Sequence, residues 1–160
     1  MAEYDRAFGE RLAAVAGDLL ADGIEELDAK RAVLYLSLLS VEISLKAMLE
    51  RAGKPVPEIR KRSHHLAALL SDLDQCRIGA ATGTGIQARA SQLRGKTLTY
   101  RDAESTVGKI IDEAESKGAS QYPNAVRYGD VLQHFPPEVI AQMASTIAAF
   151  AREHWDDISA

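Results

Sequence analysis

At 160 residues and a net charge of −4, the chain can bury a substantial core in one domain, residues 1–160, and has no global attraction to nucleic acid or acidic membranes. The single cysteine, Cys76, excludes an intramolecular disulfide and a cysteine-cluster metal site, and fits a reducing compartment. Met1-Ala2-Glu3-Tyr4-Asp5 is acidic and lacks an apolar stretch, so a secretory leader is not expected and the cytoplasm is the expected location.

Phe8, Leu12, Val15, Ala16, Leu19 and Leu20 recur at helical spacing and predict a first helix from about Glu3 to Leu20. A second helix is predicted from about Asp28 to Ala52, stopped by Gly53. At roughly 100° per residue, Asp28, Arg31, Tyr35, Glu42, Lys46 and Glu50 share one side of it. Leu34, Val41, Leu45 and Met48 fall on a second side, and Leu36, Ile43 and Ala47 on a third. A helix this apolar around its circumference belongs at the centre of a bundle. Ser37, Ser40 and Ser44 run between the two apolar groups and predict a close-approach seam for another helix; the rival reading is a ligand-binding row. The same serines, with Glu42 and Lys46, interrupt the most apolar run and argue against a membrane span.

A loop with Lys54, Pro55, Pro57, Arg60, Lys61 and Arg62 follows, and a third helix is expected from Ser63, as N-cap, through Leu73. Gly79 to Gly85 reads as a loop, and Ile86 to Leu93 as a short helix. Thr97 to Tyr100 is strand-like but too short and isolated to support a sheet, and Asp102 to Ser116 reads as helix. The last helix begins near Pro136-Pro137-Glu138, with Val139, Ile140, Met143, Ile147, Phe150 and Trp155 as its apolar positions. The sum is an all-α bundle with an irregular middle.

Few motifs carry chemistry. Ala90 to Thr97 fits a loose Walker A pattern, but its first glycine is alanine and the residues before it read as helix. Gly83 to Ala88 imitates a dinucleotide fingerprint without its strand. His64 and His65 are adjacent, which is poor spacing for one metal, and His134 and His154 are remote; neither a metal nor a cofactor is expected. Glu42 and Lys46 stand one helical turn apart in the favourable order. They read first as a pair on a solvated face, with a polar contact inside the bundle or at a dimer seam as the sharper alternative. Lys54, Arg60, Lys61 and Arg62, opening onto a helix start with His64 and His65, form the best anion- or nucleotide-binding candidate; the plainer reading is a solvated charged loop.

The order of these features resembles the HEPN domain family. Glu42-x-x-x-Lys46-Ala47-Met48-Leu49 is followed by the Gly/Pro loop, by His65-Leu66-x-x-Leu69-Leu70, and by Tyr122-Pro123-x-x-x-Arg127-Tyr128. Glu42, Lys46 and Tyr128 stand as the signature residues. The resemblance covers roughly residues 5 to 155. It implies a four- to five-helix up-and-down bundle, usually a homodimer, met beside nucleotidyltransferases, in toxin–antitoxin and defence systems, and in some eukaryotic proteins. It also implies an association with nucleotides or RNA. The nuclease branch places an arginine and, after four to six residues, a histidine in a metal-independent ribonuclease site formed across a dimer. Arg127 and His134, with six residues between them, match that spacing best. The chain departs from the pattern at Tyr128, where a polar residue is usual, and at Gly129 and Pro136-Pro137, which weaken the helix that would align the pair. The expected function is therefore a binding or interaction module for nucleotide, RNA or a partner protein without an intact catalytic motif. A metal-independent endoribonuclease and a plain helical interaction subunit are the alternatives. The expected partners are a second copy, a nucleotidyltransferase or an antitoxin.

Overall fold

The computed structural model describes residues 1–79, 87–123 and 136–159. Helix α1 spans Arg6–Asp22. It starts where the Asp5 carboxylate accepts the Ala7 N–H at 2.9 Å, and it stops at Gly23, whose φ of 111° few other residues tolerate. Helix α2 spans Leu27–Arg51 and is buried nearly all round. Its end turns through Gly53 at φ 87°, where the Lys54 N–H returns to the Leu49 carbonyl. By length and composition α2 could cross a membrane, yet most of it is buried within the fold.

The proline loop contains an unforeseen short helix, α3, Val56–Lys61, with Pro57 in its first turn where a missing N–H is harmless. Helix α4 spans Leu66–Asp74, so the expected start at Ser63 is corrected. Ser63 takes φ 49° and turns the chain, and His65 occupies the cap position. Leu66, Leu69, Leu70 and Leu73 of α4 are fully buried. Burying each contributes about 1.5–3 kcal/mol, which holds a nine-residue helix too short to persist alone.

The irregular middle holds β-structure. Strands β1 (Arg77–Gly79) and β2 (Gln87–Arg89) pair antiparallel, so the helix expected from Ile86 shrinks to α5, Ser91–Arg94. Strands β3 (Thr97–Tyr100) and β4 (Ala103–Thr106) form a hairpin with Thr97 opposite Thr106 and Tyr100 opposite Ala103. Thr97 to Tyr100 therefore has the partner its sequence neighbourhood hid. Thr106 then caps α6, Val107–Ser116, and a 3-10 turn follows over Ala119–Gln121. Helix α7 spans Pro137–His154, and β5 (Ile158–Ser159) adds to β1 in the order β2-β1-β5.

The described chain is mostly helical, as the all-α expectation has it at a coarse level, with two small antiparallel sheets added. Helices α1, α2 and α7 pack on one another, α4 lies on α2, and α6 on α4. The β3–β4 hairpin sits on α7, where the Thr99 N–H reaches the Gln142 side-chain oxygen at 2.9 Å. One contiguous apolar core joins them around α2.

The serine stripe of α2 is a helix seam. Ser37, Ser40 and Ser44 are completely buried, and the Ser40 hydroxyl donates to the Gly9 carbonyl at 2.6 Å. A Cβ on Gly9 would lie 2.7 Å from the Ser44 hydroxyl oxygen, so only glycine lets α1 approach this closely.

Candidate functional site

The polar face of α2 is not solvated where Glu42 and Lys46 stand. Glu42 is 5% exposed and Lys46 6%, which corrects the solvated-face reading in favour of a contact inside the bundle. Lys46 Nζ lies 2.7 Å from Glu42 Oε1. Two further groups meet the other carboxylate oxygen. The Tyr122 hydroxyl donates to Oε2 at 2.6 Å, and His64 Nδ1 lies 2.8 Å from the same atom. An ionised carboxylate only accepts, so Nδ1 carries its proton.

Each partner arrives by a local device. Lys46 follows Glu42 by one turn of α2. Ser63, in the left-handed region, turns the chain between α3 and α4 and brings His64 to the helix. Gly118, at φ 87°, breaks α6 and leads through the 3-10 turn to Tyr122. The Tyr122 ring meets Tyr35 and His64 edge-on, with centroids 5.7 and 5.6 Å away.

Removing a carboxylate from water costs several kcal/mol, on the order repaid only by full hydrogen bonding and a countercharge. Burial pushes the Glu42 carboxyl up, but the hydrogen bonds from Lys46, Tyr122 and His64 outweigh it and hold it below 4.5, the ordinary value. Burial, and then the Glu42 charge, push the Tyr122 hydroxyl far above its ordinary value, so it stays a donor. Chemically, Glu42 is a fixed anion that accepts three hydrogen bonds, one at Oε1 and two at Oε2. It orients His64, whose side chain remains 44% exposed. Among the described residues no group of three or more His, Cys, Asp or Glu side chains is placed to hold a metal.

The N-terminal segment lies across this cluster. The N–H groups of Glu3 and Tyr4 both donate to the Glu50 carboxylate at 2.9 to 3.1 Å. The Tyr4 ring lies under the Lys46 ammonium, 5.4 Å from its centroid. Burial, and then the Glu3 carboxylate beside it, push the Tyr4 hydroxyl up.

The basic loop is drawn to separate acids. Arg60 grips Glu3 with both Nε, at 2.8 Å, and Nη2. Arg62 grips Asp72 the same way, with both bonds at 2.8 Å, and Lys54 stands 3.4 Å from Asp72 and 3.7 Å from Glu58. Burial pushes the Asp72 carboxyl up, but Arg62 and Lys54 more than reverse it. Lys61 is exposed and, with Lys54, Glu58 and Arg62, lines a shallow cavity of about 300 Å³. His65 Nδ1 stands 4.0 Å from Glu115. Of the anion-site residues, then, His64 joins the buried cluster, Arg60, Arg62 and His65 each take a different acidic partner, and Lys61 borders the cavity. Arg127, Tyr128 and His134 lie outside the described residues.

The Walker-like stretch has its parts in the wrong order. A strand, not the expected helix, precedes Ala90, but α5 comes before Gly95 and a strand after it. Arg94 is held at 2.7 Å by Asp74. Tyr122, Glu3, Tyr4 and Glu50 are the site residues that sequence reasoning missed. Tyr122 carried a signal in the Tyr-Pro element of the family resemblance, and Glu50 in its place on the same side of the second helix as Glu42 and Lys46; Glu3 and Tyr4 carried none. The chain matches no protein-family model, no curated protein and no solved structure.

Proposed function

We propose that this chain is a HEPN-like helical binding module for nucleotide or RNA, working in the cytoplasm as a homodimer beside a nucleotidyltransferase or antitoxin. The observation that carries this reading is the convergence on Glu42. The resemblance rests on three separated elements: the Glu42-x-x-x-Lys46 helix, His65-Leu66-x-x-Leu69-Leu70, and Tyr122-Pro123-x-x-x-Arg127-Tyr128. Glu42 takes hydrogen bonds from Lys46 of the first, from Tyr122 of the third, and from His64, which adjoins the second, while His65 itself faces Glu115. Stretches far apart in the chain thus meet at one buried carboxylate, which supports a common architecture. Glu42 holds three hydrogen bonds and a countercharge and so serves as a fixed anion that orients His64, a role that suits binding. The half-exposed His64 ring and the cations of the adjoining loop supply donors suited to phosphate.

The test is a thermal-shift panel with mononucleotides and single-stranded RNA, alongside sedimentation at several protein concentrations. A midpoint that rises with nucleotide or RNA concentration supports the module, and a dimer in sedimentation supports its assembly. A midpoint indifferent to every nucleotide and RNA leaves a plain interaction subunit. RNA cleavage by the wild type, abolished in His134→Ala, would replace the binding module with the ribonuclease.

A further inference from the structure

We infer that Arg60 is a phosphate-binding site that the chain's own Glu3 occupies as an internal stand-in for the ligand. This rests on the reading of the chain as a nucleotide- or RNA-binding module, and goes beyond it in naming the site and what blocks it.

The Glu3 carboxylate meets the Arg60 guanidinium through two parallel contacts, the geometry with which arginine also takes phosphate. The carboxyl is held below its ordinary value first by the Arg60 hydrogen bond, and the Lys46 charge adds to this. Arg60 on α3 is thus the main partner of this carboxylate, with Lys46 of α2 a minor second cation. The next residue, Tyr4, lays its ring against Lys46. The segment is anchored separately, through its backbone, to Glu50. Glu3 can release Arg60 without the segment leaving its seat.

The contact is built to be exchanged. Arg60 is 64% exposed and the Glu3 side chain 35%. An exposed pair is weak and screened by salt. A phosphate offers the guanidinium the same two-oxygen face. Glu3 competes by tethering rather than by strength, since it is only a few residues from the start of α1 and has a high effective concentration at Arg60. Lys46 stays paired with Glu42 at 2.7 Å beside the Tyr4 ring, and the Glu50 carboxylate is engaged by the backbone N–H groups of Glu3 and Tyr4.

The source of the phosphate is separated by two probes: adenosine monophosphate, and an RNA 12-mer with internal phosphodiesters only. Binding of each is measured for wild type, Glu3→Gln, Arg60→Gln and the double variant. Circular dichroism confirms that each is folded, which the exposed position of both side chains favours. Glu3→Gln is expected to bind at least one probe about threefold or more tighter, a gain under 1.4 kcal/mol being enough. Arg60→Gln is expected to bind more weakly than wild type, and the double variant no better than Arg60→Gln. If RNA or nucleotide binds and neither substitution changes it, the stand-in is wrong while the binding module survives. If neither probe binds any variant, both fall. Titration with inorganic phosphate gives a direct check: at constant ionic strength the Arg60 Nε–H resonance should move in Glu3→Gln at lower phosphate than in wild type. An unmoved resonance in both would overturn the site.

Discussion

The Tyr122 hydroxyl donates to Glu42 Oε2 at 2.6 Å across 80 residues of sequence. It fastens the chain after α6 to the central helix through a charged acceptor in a buried setting. Tyr122→Phe keeps the ring contacts with Tyr35 and His64 and removes only this bond. Unfolding in urea should show a loss of about 1.5–3 kcal/mol with an unchanged slope. No measurable loss would mean that the bond does not hold the bundle together.

The Glu42–Lys46 pair should behave as a coupled unit. Glu42→Gln leaves the Lys46 ammonium buried without its countercharge and should cost about 3–5 kcal/mol. Replacing both with methionine should cost clearly less than the two single substitutions added together. Simple additivity in a double-mutant cycle would show the two side chains to be independent.

Acid should loosen the fold in a defined window. Glu42, Glu10 and Asp72 are held below their ordinary values of 4.5, 4.5 and 3.8. For Glu42, burial opposes the shift and Lys46, Tyr122 and His64 outweigh it. For Glu10 the Arg152 bond leads. For Asp72, Arg62 and Lys54 outweigh burial. A carboxyl with a lowered folded value gives its full stabilisation above its unfolded value and loses it as pH falls through the folded one. Stability should therefore be level toward neutrality and fall below pH 4.5, and Glu42→Gln should make that fall shallower. A parallel fall in the variant would remove Glu42 from the account.

Gly9 should resist enlargement. Its missing Cβ faces the Ser44 hydroxyl oxygen at 2.7 Å and the Ser44 backbone nitrogen at 3.3 Å. Gly9→Val should cost about 1–3 kcal/mol by forcing α1 off α2. Gly9→Ala should cost less, and adding Ser44→Ala should recover part of that loss because it removes the nearest atom. Thermal unfolding of the three variants orders these effects.

Much of the helical frame was legible because its signals are local. Periodic leucines mark α4, glycines mark the ends of α1 and α2, and the prolines mark the start of α7. The serine stripe was also legible as a seam, because small side chains on a central helix admit a neighbour. The short strands were not, since three or four residues cannot display an alternating pattern and their partners are other short segments. Glu42 shows the same limit at the site. A helical wheel correctly grouped it with Lys46 and Tyr35, but solvent is excluded there by Tyr4, His64 and Tyr122, from 22 to 80 residues away. Arg60 and Glu3, 57 residues apart, give no sign of each other in the sequence.

The central claim is that the segments meeting at Glu42 form one phosphate-binding surface. The most direct measurement is the mapping of amide and side-chain NMR shifts as single-stranded RNA or nucleotide is added to the wild-type chain. The account predicts perturbations centred on Glu3, Tyr4, Lys46, Arg60 and His64, with α7 unchanged. Perturbations confined to α7 or the β3–β4 hairpin, or none at all at saturating ligand, would contradict it.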